Sequence, residues 1–198
     1  LEKNEMKSYS RDMQDLFVLK LFGENHKGYF LDIGCQLPLE GNNTILLETL
    51  GWFGIGIDFR DFSLQWKKNR RTPFILENAL TCDYDVLYKR YQLPKVIDYL
   101  SHDLDGKGDR YLGLQRLFES RQEFKVITIE HDAYAGNELI ERAKQRDFLA
   151  KYGYVCLASN VMCSEGPFED WWINPKYING YNETLFENKF PNEIINEI

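Results

Sequence analysis

The chain has 198 residues, 43% apolar and 28% charged, with a formal net charge of −7. That length and balance fit one ordinary globular domain with a substantial core. The acidity excludes the basic stripe that duplex binding needs, and no apolar run approaches the 18 or so residues of a membrane span.

In chain order, apolar runs of strand length alternate with amphipathic runs of helical length. A lead-in helix is expected over 12–22, a strand over 28–33, and a short helix over 44–50 with Asn43 as its N-cap. A strand over 53–57, a helix over 62–69 and a strand over 72–77 follow. The basic run Lys67-Lys68-Asn69-Arg70-Arg71 reads as a solvated helix end favoured by the helix dipole. A helix over 83–91, a strand over 96–101, a helix over 111–120 and a strand over 125–129 come next. The last expected elements are a helix over 138–152, stopped at Gly153, and strands over 154–159 and 169–173. The tail after Pro175, rich in Asn, Glu and Tyr, reads as a cover over the site or a loosely packed end.

This alternation predicts an α/β fold: a mostly parallel, seven-stranded Rossmann-like sheet with helices on both faces. The expected division is a lead-in over 1–27, the main domain over 28–178 and a tail over 179–198, forming a single domain. Four cysteines (Cys35, Cys82, Cys156, Cys163) form no CxxC pair. With no signal-peptide pattern in view, the expectation is a reducing, cytoplasmic setting.

In such sheets ligands lie beyond the carboxyl ends of the strands. Those positions hold Asp32-Ile33-Gly34-Cys35, Asp58, Asn78, His102-Asp103-Leu104-Asp105 and Glu130-His131-Asp132. The first loop lacks GxGxxG and the GK[ST] of a P-loop, so no diphosphate cradle is legible. Acidic loops suit a cation, and S-adenosylmethionine (SAM) carries both a sulfonium and an ammonium group.

The segment "GYFLDIGCQLPLEGNNTILLETLGWFGIGID" resembles the FkbM-type methyltransferases, a group of class I SAM-dependent enzymes. "SYSRDMQDLFVLKLF", "VIDYLSHDLDG", "VITIEHD" and "FEDWWINP" are similar to further segments of that family, so the resemblance spans roughly 8–178. It implies that Asp32, Gly34 and Cys35 line the methionine end of the cofactor, with Asn43 and Thr44 in the same loop. It also implies that Asp58 holds the ribose, that Phe59 lies against the adenine and that Asn78 and Ala79 meet the adenine edge. Asp103 would face the methionyl portion and take part in the chemistry. Cys35-Gln36 stands where the family often has Ala-Asn, Leu37-Pro38 replaces a second glycine, and Asp105 replaces a glutamate.

Methylating a hydroxyl requires a base or a divalent ion to lower its pKa. His102 and His131 are the base candidates. Asp103, Asp105, Glu130 and Asp132 are candidate ligands for Mg2+, or for Mn2+ or Ca2+. One of Trp171 and Trp172 is expected to fill the core, and the other either to pack there as well or to stack on a sugar face. Gln14 and Asp15 either reach the cofactor or form the polar face of the lead-in helix. The sequence thus points to an O-methyltransferase for a sugar, glycan or other small polar acceptor. The alternatives are a protein, lipid or nucleic-acid acceptor, the last disfavoured by the acidity, or a non-catalytic cofactor-binding module.

Overall fold

The computed structural model describes residues 6–106, 108–136, 138–181 and 185–198. Residues 1–5 of the expected lead-in and 182–184 of the expected tail lie outside the described residues.

Helix α1 spans Gln14–Phe22, followed by β1 (Tyr29–Ile33), α2 (Ile45–Thr49), β2 (Phe53–Asp58), α3 (Ser63–Asn69) and β3 (Phe74–Leu76). Then come α4 (Tyr84–Arg90), β4 (Val96–His102), α5 (Asp109–Glu119), β5 (Glu123–Glu130) and α6 (Leu139–Lys151). The chain ends with β6 (Val155–Cys163), β7 (Gly166–Ile173), β8 (Phe186–Glu187) and α7 (Pro191–Glu197). One sheet contains all of these strands, in the order β3-β2-β1-β4-β5-β7-β6-β8. Strands β1 to β5 run parallel, and β7 is antiparallel to both β5 and β6. The expected fold class is present with one strand more than expected. The extra strand, β8, is only two residues long and pairs with β6.

Near-continuous apolar runs give the central strands two apolar faces, since successive side chains point to opposite sides, and so build two cores. Leu31, Ile33, Ile127, Ile129 and Trp172 pack on one face with Leu114, Leu117 and Leu149 of α5 and α6. Phe30, Tyr99, Val126 and Trp171 pack on the other with Phe17 and Val18 of α1 and Ile194 and Ile195 of α7. The C-terminal helix is therefore part of the second core, and the loosely packed reading of the tail does not describe it. Its signal is Pro191 at the helix start, followed by Glu193, which accepts from the Phe190 amide at 2.8 Å.

Gly54 on β2 lies where the sheet leaves no room for a side chain. A Cβ there would sit 2.2 Å from the Phe30 carbonyl oxygen. Across the helical layer, the Glu141 carboxylate of α6 accepts from the backbone amides of Gly108 (3.0 Å) and Tyr111 (2.7 Å) at the start of α5. A side chain of one helix thus caps the orphan amides of another and fixes their relative position.

Glu141→Ala removes that cap. It should lower unfolding stability by about 1–2 kcal/mol, read as a lower urea midpoint at unchanged slope. An unchanged midpoint would contradict the capping role.

Candidate functional site

The carboxyl ends of β1, β4 and β5 open into a cavity of about 880 Å3. In the sheet order β1 and β4 are neighbours whose following connections diverge to opposite flanks, the place where such sheets bind ligands. Gly34 makes the floor possible. It has φ +74°, and a Cβ on it would lie 1.7 Å from the Asp103 carbonyl oxygen, so only glycine lets these two loops touch.

The loop between Gly34 and α2 is held by a buried polar network. Asp32, at the end of β1, accepts from Thr44 Oγ1 at 2.8 Å and from Asn42 Nδ2 at 3.3 Å. Asn42 Oδ1 in turn accepts from the amides of Thr44 (3.0 Å) and Ile45 (3.1 Å), capping α2. The expected cap, Asn43, instead donates to Ser101 Oγ at 3.0 Å and faces the cavity.

Behind this loop lies Arg70, whose side chain is fully buried. It donates to Glu48 (2.7 Å), the Pro38 carbonyl (3.1 Å), Asn42 Oδ1 (2.9 Å) and Thr44 Oγ1 (3.0 Å). Its guanidinium stacks 4.2 Å above Trp66, whose indole donates to the Gln36 carbonyl at 2.9 Å. The solvated reading of the basic run therefore fails at Arg70, which is the internal counter-charge of the loop. Lys67, Lys68 and Arg71 of the same run are exposed.

The cavity is acidic. Among the described residues, nine carboxyl side chains line it, from Asp12 to Glu169, against one cation, Arg11. Asp32, Gly34, Cys35, Asn43, Asp103, Asp105, Glu130, Asp132 and Gln14 are all brought to it. Thr44 is buried behind it, holding Asp32. Asp15 is buried away from it, accepting from Ser8 Oγ and the Tyr9 amide. Asp58, Phe59, Asn78 and Ala79 do not line it. Asp58 is covered by Arg60, Phe59 is exposed, Asn78 turns back on the Leu80 amide and Ala79 is buried in the core.

Both imidazoles lie elsewhere. His102 alternates with Ser101 on β4, so it points to the opposite face, where its Nε2 lies 3.0 Å from a Cβ built on Gly113 of α5. Burial pushes its pKa down to about 4. His131 is fully buried, accepts from the Ala133 amide at 3.1 Å through Nδ1 and lies 3.3 Å from Asp170 through Nε2. Burial lowers its pKa as well. Neither ring lines the cavity, which removes the geometric basis for an imidazole base. Trp171 and Trp172 are both buried, on opposite faces of the sheet, so of the two readings of the second tryptophan packing is the one the structure shows, and neither ring lines the cavity.

What the sequence reading missed is Glu169. It sits directly opposite Glu130 in the antiparallel β5–β7 register, so both carboxyls enter the cavity. Like charges at such a position repel. Burial pushes Glu169 up to about 8, against hydrogen bonds from Trp171 Nε1 and from Gln14 Nε2 (3.1 Å). Burial also raises Glu130 and Asp103, which share a hydrogen bond. Arg110 of α5 reaches under the floor to Glu130 (3.2 Å) and Asp132 (2.5 Å). One ligand atom each from Asp103, Asp105 and Glu130 can lie within 4.8 Å of the others. Asp132 is outside that group, drawn to Arg110.

No protein-family model and no curated protein matches this sequence. Solved structures do match in three dimensions. A TehB-like SAM-dependent methyltransferase of Corynebacterium glutamicum aligns over 81% of this chain and 86% of its own, with TM-score 0.53 and 11% identity. A caffeoyl-CoA O-methyltransferase-like protein of Staphylococcus aureus aligns over 86% and 87%, with TM-score 0.55 and 14% identity. A methyltransferase-like protein of Streptococcus mutans, solved with SAH, aligns over 85% and 99%, with TM-score 0.53 and 13% identity. These likenesses show a shared fold, that of the class I SAM-dependent methyltransferases.

Two outcomes follow from the site's energetics. Arg70→Ala leaves Glu48 buried without its cation and should cost about 3–5 kcal/mol in denaturant unfolding; a loss below about 1 kcal/mol would contradict the network. Folding raises the Glu169 pKa from 4.5 to about 8, so the folded chain keeps a proton that the unfolded chain releases between those values. Stability should therefore fall as pH rises from about 5 to 8, and Glu169→Gln should flatten that slope. A melting temperature that rises over this range, or an unchanged slope in the variant, would contradict the assignment.

Proposed function

We propose that this chain is a SAM-dependent methyltransferase acting on a hydroxyl of a sugar, glycan or other small polar acceptor. The observation that carries the reading is the acidic cavity at the β1/β4 switch point of this fold. Among the described residues, a dinucleotide or nucleoside triphosphate would meet nine carboxyls and no glycine-rich phosphate loop, whereas a sulfonium and an ammonium would be stabilised there. The donor set fits the cofactor's polar groups: Asp32, Asn43, Ser101 and Asp103 are gathered at its expected methionyl end.

When bound, SAM supplies an activated methyl group for in-line displacement. The chain's part is orientation and proton handling. Asp103 and the Asn43–Ser101 pair would hold the methionyl end. Gln14, on α1, ties the lead-in helix to the cavity floor through Glu169. With the histidines elsewhere, the cavity's carboxyl groups are left to take the acceptor's proton, Asp103 rather than Glu169, since burial raises Asp103 only to about 6 while Glu169, raised to about 8, keeps its own proton at neutral pH. The motif likeness to FkbM-type enzymes supports the polar acceptor. Free Cys35, Cys82, Cys156 and Cys163 support a reducing, cytoplasmic setting.

A second reading adds a divalent ion, motivated by the convergence of Asp103, Asp105 and Glu130. These are hard oxygen donors that suit Mg2+ or Mn2+. An ion there would lower the acceptor hydroxyl's pKa, and Arg110 would then keep Asp132 as an outer support. Titration with Mg2+ or Mn2+ should give binding that Asp105→Asn removes; no binding would discard the ion.

Calorimetric titration with SAM tests the main reading. Binding is expected, weakened about tenfold or more by Asp103→Asn, with SAH, which lacks the sulfonium charge, less affected by the substitution. No binding by the unaltered protein would contradict it.

A further inference from the structure

The cavity stops short of the residue expected to hold the ribose, and Arg60 is the reason. The Asp58 side chain is 1% exposed, and its carboxylate is fully occupied. Oδ1 accepts from the Arg60 amide at 2.8 Å and from Arg60 Nε at 3.2 Å. Oδ2 accepts from the Gln36 amide at 3.0 Å and from Arg60 Nη2 at 3.4 Å. The same guanidinium reaches Asp105 through Nη1 at 3.4 Å. Asp58 ends β2 and Asp105 follows β4, and β1 lies between those strands. A bridge from one to the other crosses the end of β1, where a nucleoside held by Asp58 has to pass. Phe59 and Phe62 flank the guanidinium at 5.4 and 5.8 Å from their ring centres, steadying it in that place.

We propose that Arg60 sets the affinity of this site for adenosine-bearing ligands: it occupies Asp58 and bridges to Asp105 across the cleft until the ligand's ribose displaces it. The proposal rests on the SAM reading given above. A ribose diol donates hydrogen bonds and so needs the same carboxylate oxygens that Arg60 Nε and Nη2 now hold. Binding therefore exchanges a charge-assisted contact for a neutral one, and the observed affinity is reduced by the fraction of molecules in which Arg60 has let go. Asp105 lets the displaced guanidinium keep one partner, so Arg60 can swing without being stranded.

Adenosine is the informative probe, because it is neutral and leaves the acids at the methionyl end out of the comparison. Calorimetric titration of Arg60→Ala with adenosine and with SAM should give about 3- to 10-fold tighter binding than the unaltered protein. Circular dichroism serves as the check that the variant is folded. Raising salt from about 0.05 to 0.5 M screens the Arg60 contacts, so adenosine should bind the unaltered protein more tightly in high salt and the variant equally in both. Equal or weaker binding by Arg60→Ala, with SAM still bound by the unaltered protein, would overturn this role and leave the methyltransferase reading standing. A salt-independent affinity of the unaltered protein for adenosine would overturn it too. Failure of both proteins to bind SAM and adenosine would overturn the cofactor reading, and this role with it.

Discussion

The buried guanidinium of Arg70 is the constraint on which the site depends. A loop of about ten residues at the end of a strand ordinarily has many conformations, and ordering it costs roughly 1–2 kcal/mol per residue. Here one cation, itself without exposure, satisfies Glu48 and three groups of the loop at once, while the Trp66 beneath it takes a fourth through its indole. The polarity then runs inward: Arg70 donates to Thr44, Thr44 donates to Asp32, and Asp32 faces the cavity. A ligand at Asp32 meets a carboxylate already oriented, so little of its binding free energy goes into arranging the loop.

The rest of the site handles the consequence of collecting so many acids. Three arginines act from outside the cavity rather than within it: Arg70 behind Asp32, Arg110 under Glu130 and Asp132, and Arg60 against Asp58 and Asp105. Glu169, which lacks such a partner, is buried opposite Glu130, and its burial above all makes it keep its proton. The result is a negative cleft that stays foldable because part of its charge is paired and part is protonated. Perturbed carboxyls of this kind concentrate where a protein does chemistry, and in the proposed reading they lie beside the cofactor's methionyl end.

Much of this was legible in the sequence where local rules govern. The apolar runs "YFLDI" and "FGIGID" located β1 and β2, and the strand-end acids Asp32, Asp103, Asp105, Glu130 and Asp132 do meet at one cavity. The failures share a cause, which is contact between segments far apart in the chain. Arg70 belongs by sequence to a basic helix end and becomes internal only because Glu48 lies 22 residues away. His102 sits one residue before Asp103, but the pleat turns it to the other face. The same period of two parts Trp171 from Trp172 and buries both. Glu169 acquires its role from its register with Glu130, which only the pairing of β5 with β7 sets. β8 is too short to leave a periodic signal, and Asn42 rather than Asn43 caps α2 because of how the loop turns around Arg70.

The most direct test of this account is a crystal structure of the protein with SAH bound. The expected result is the ribose on Asp58 with Arg60 displaced, the methionyl end against Asn43, Ser101 and Asp103, and the loop from Gln36 to Thr44 where it already lies. SAH seated elsewhere, or a loop rebuilt around it with Arg70 released from Asn42 and Thr44, would contradict the claim that this cleft is a preorganised cofactor site.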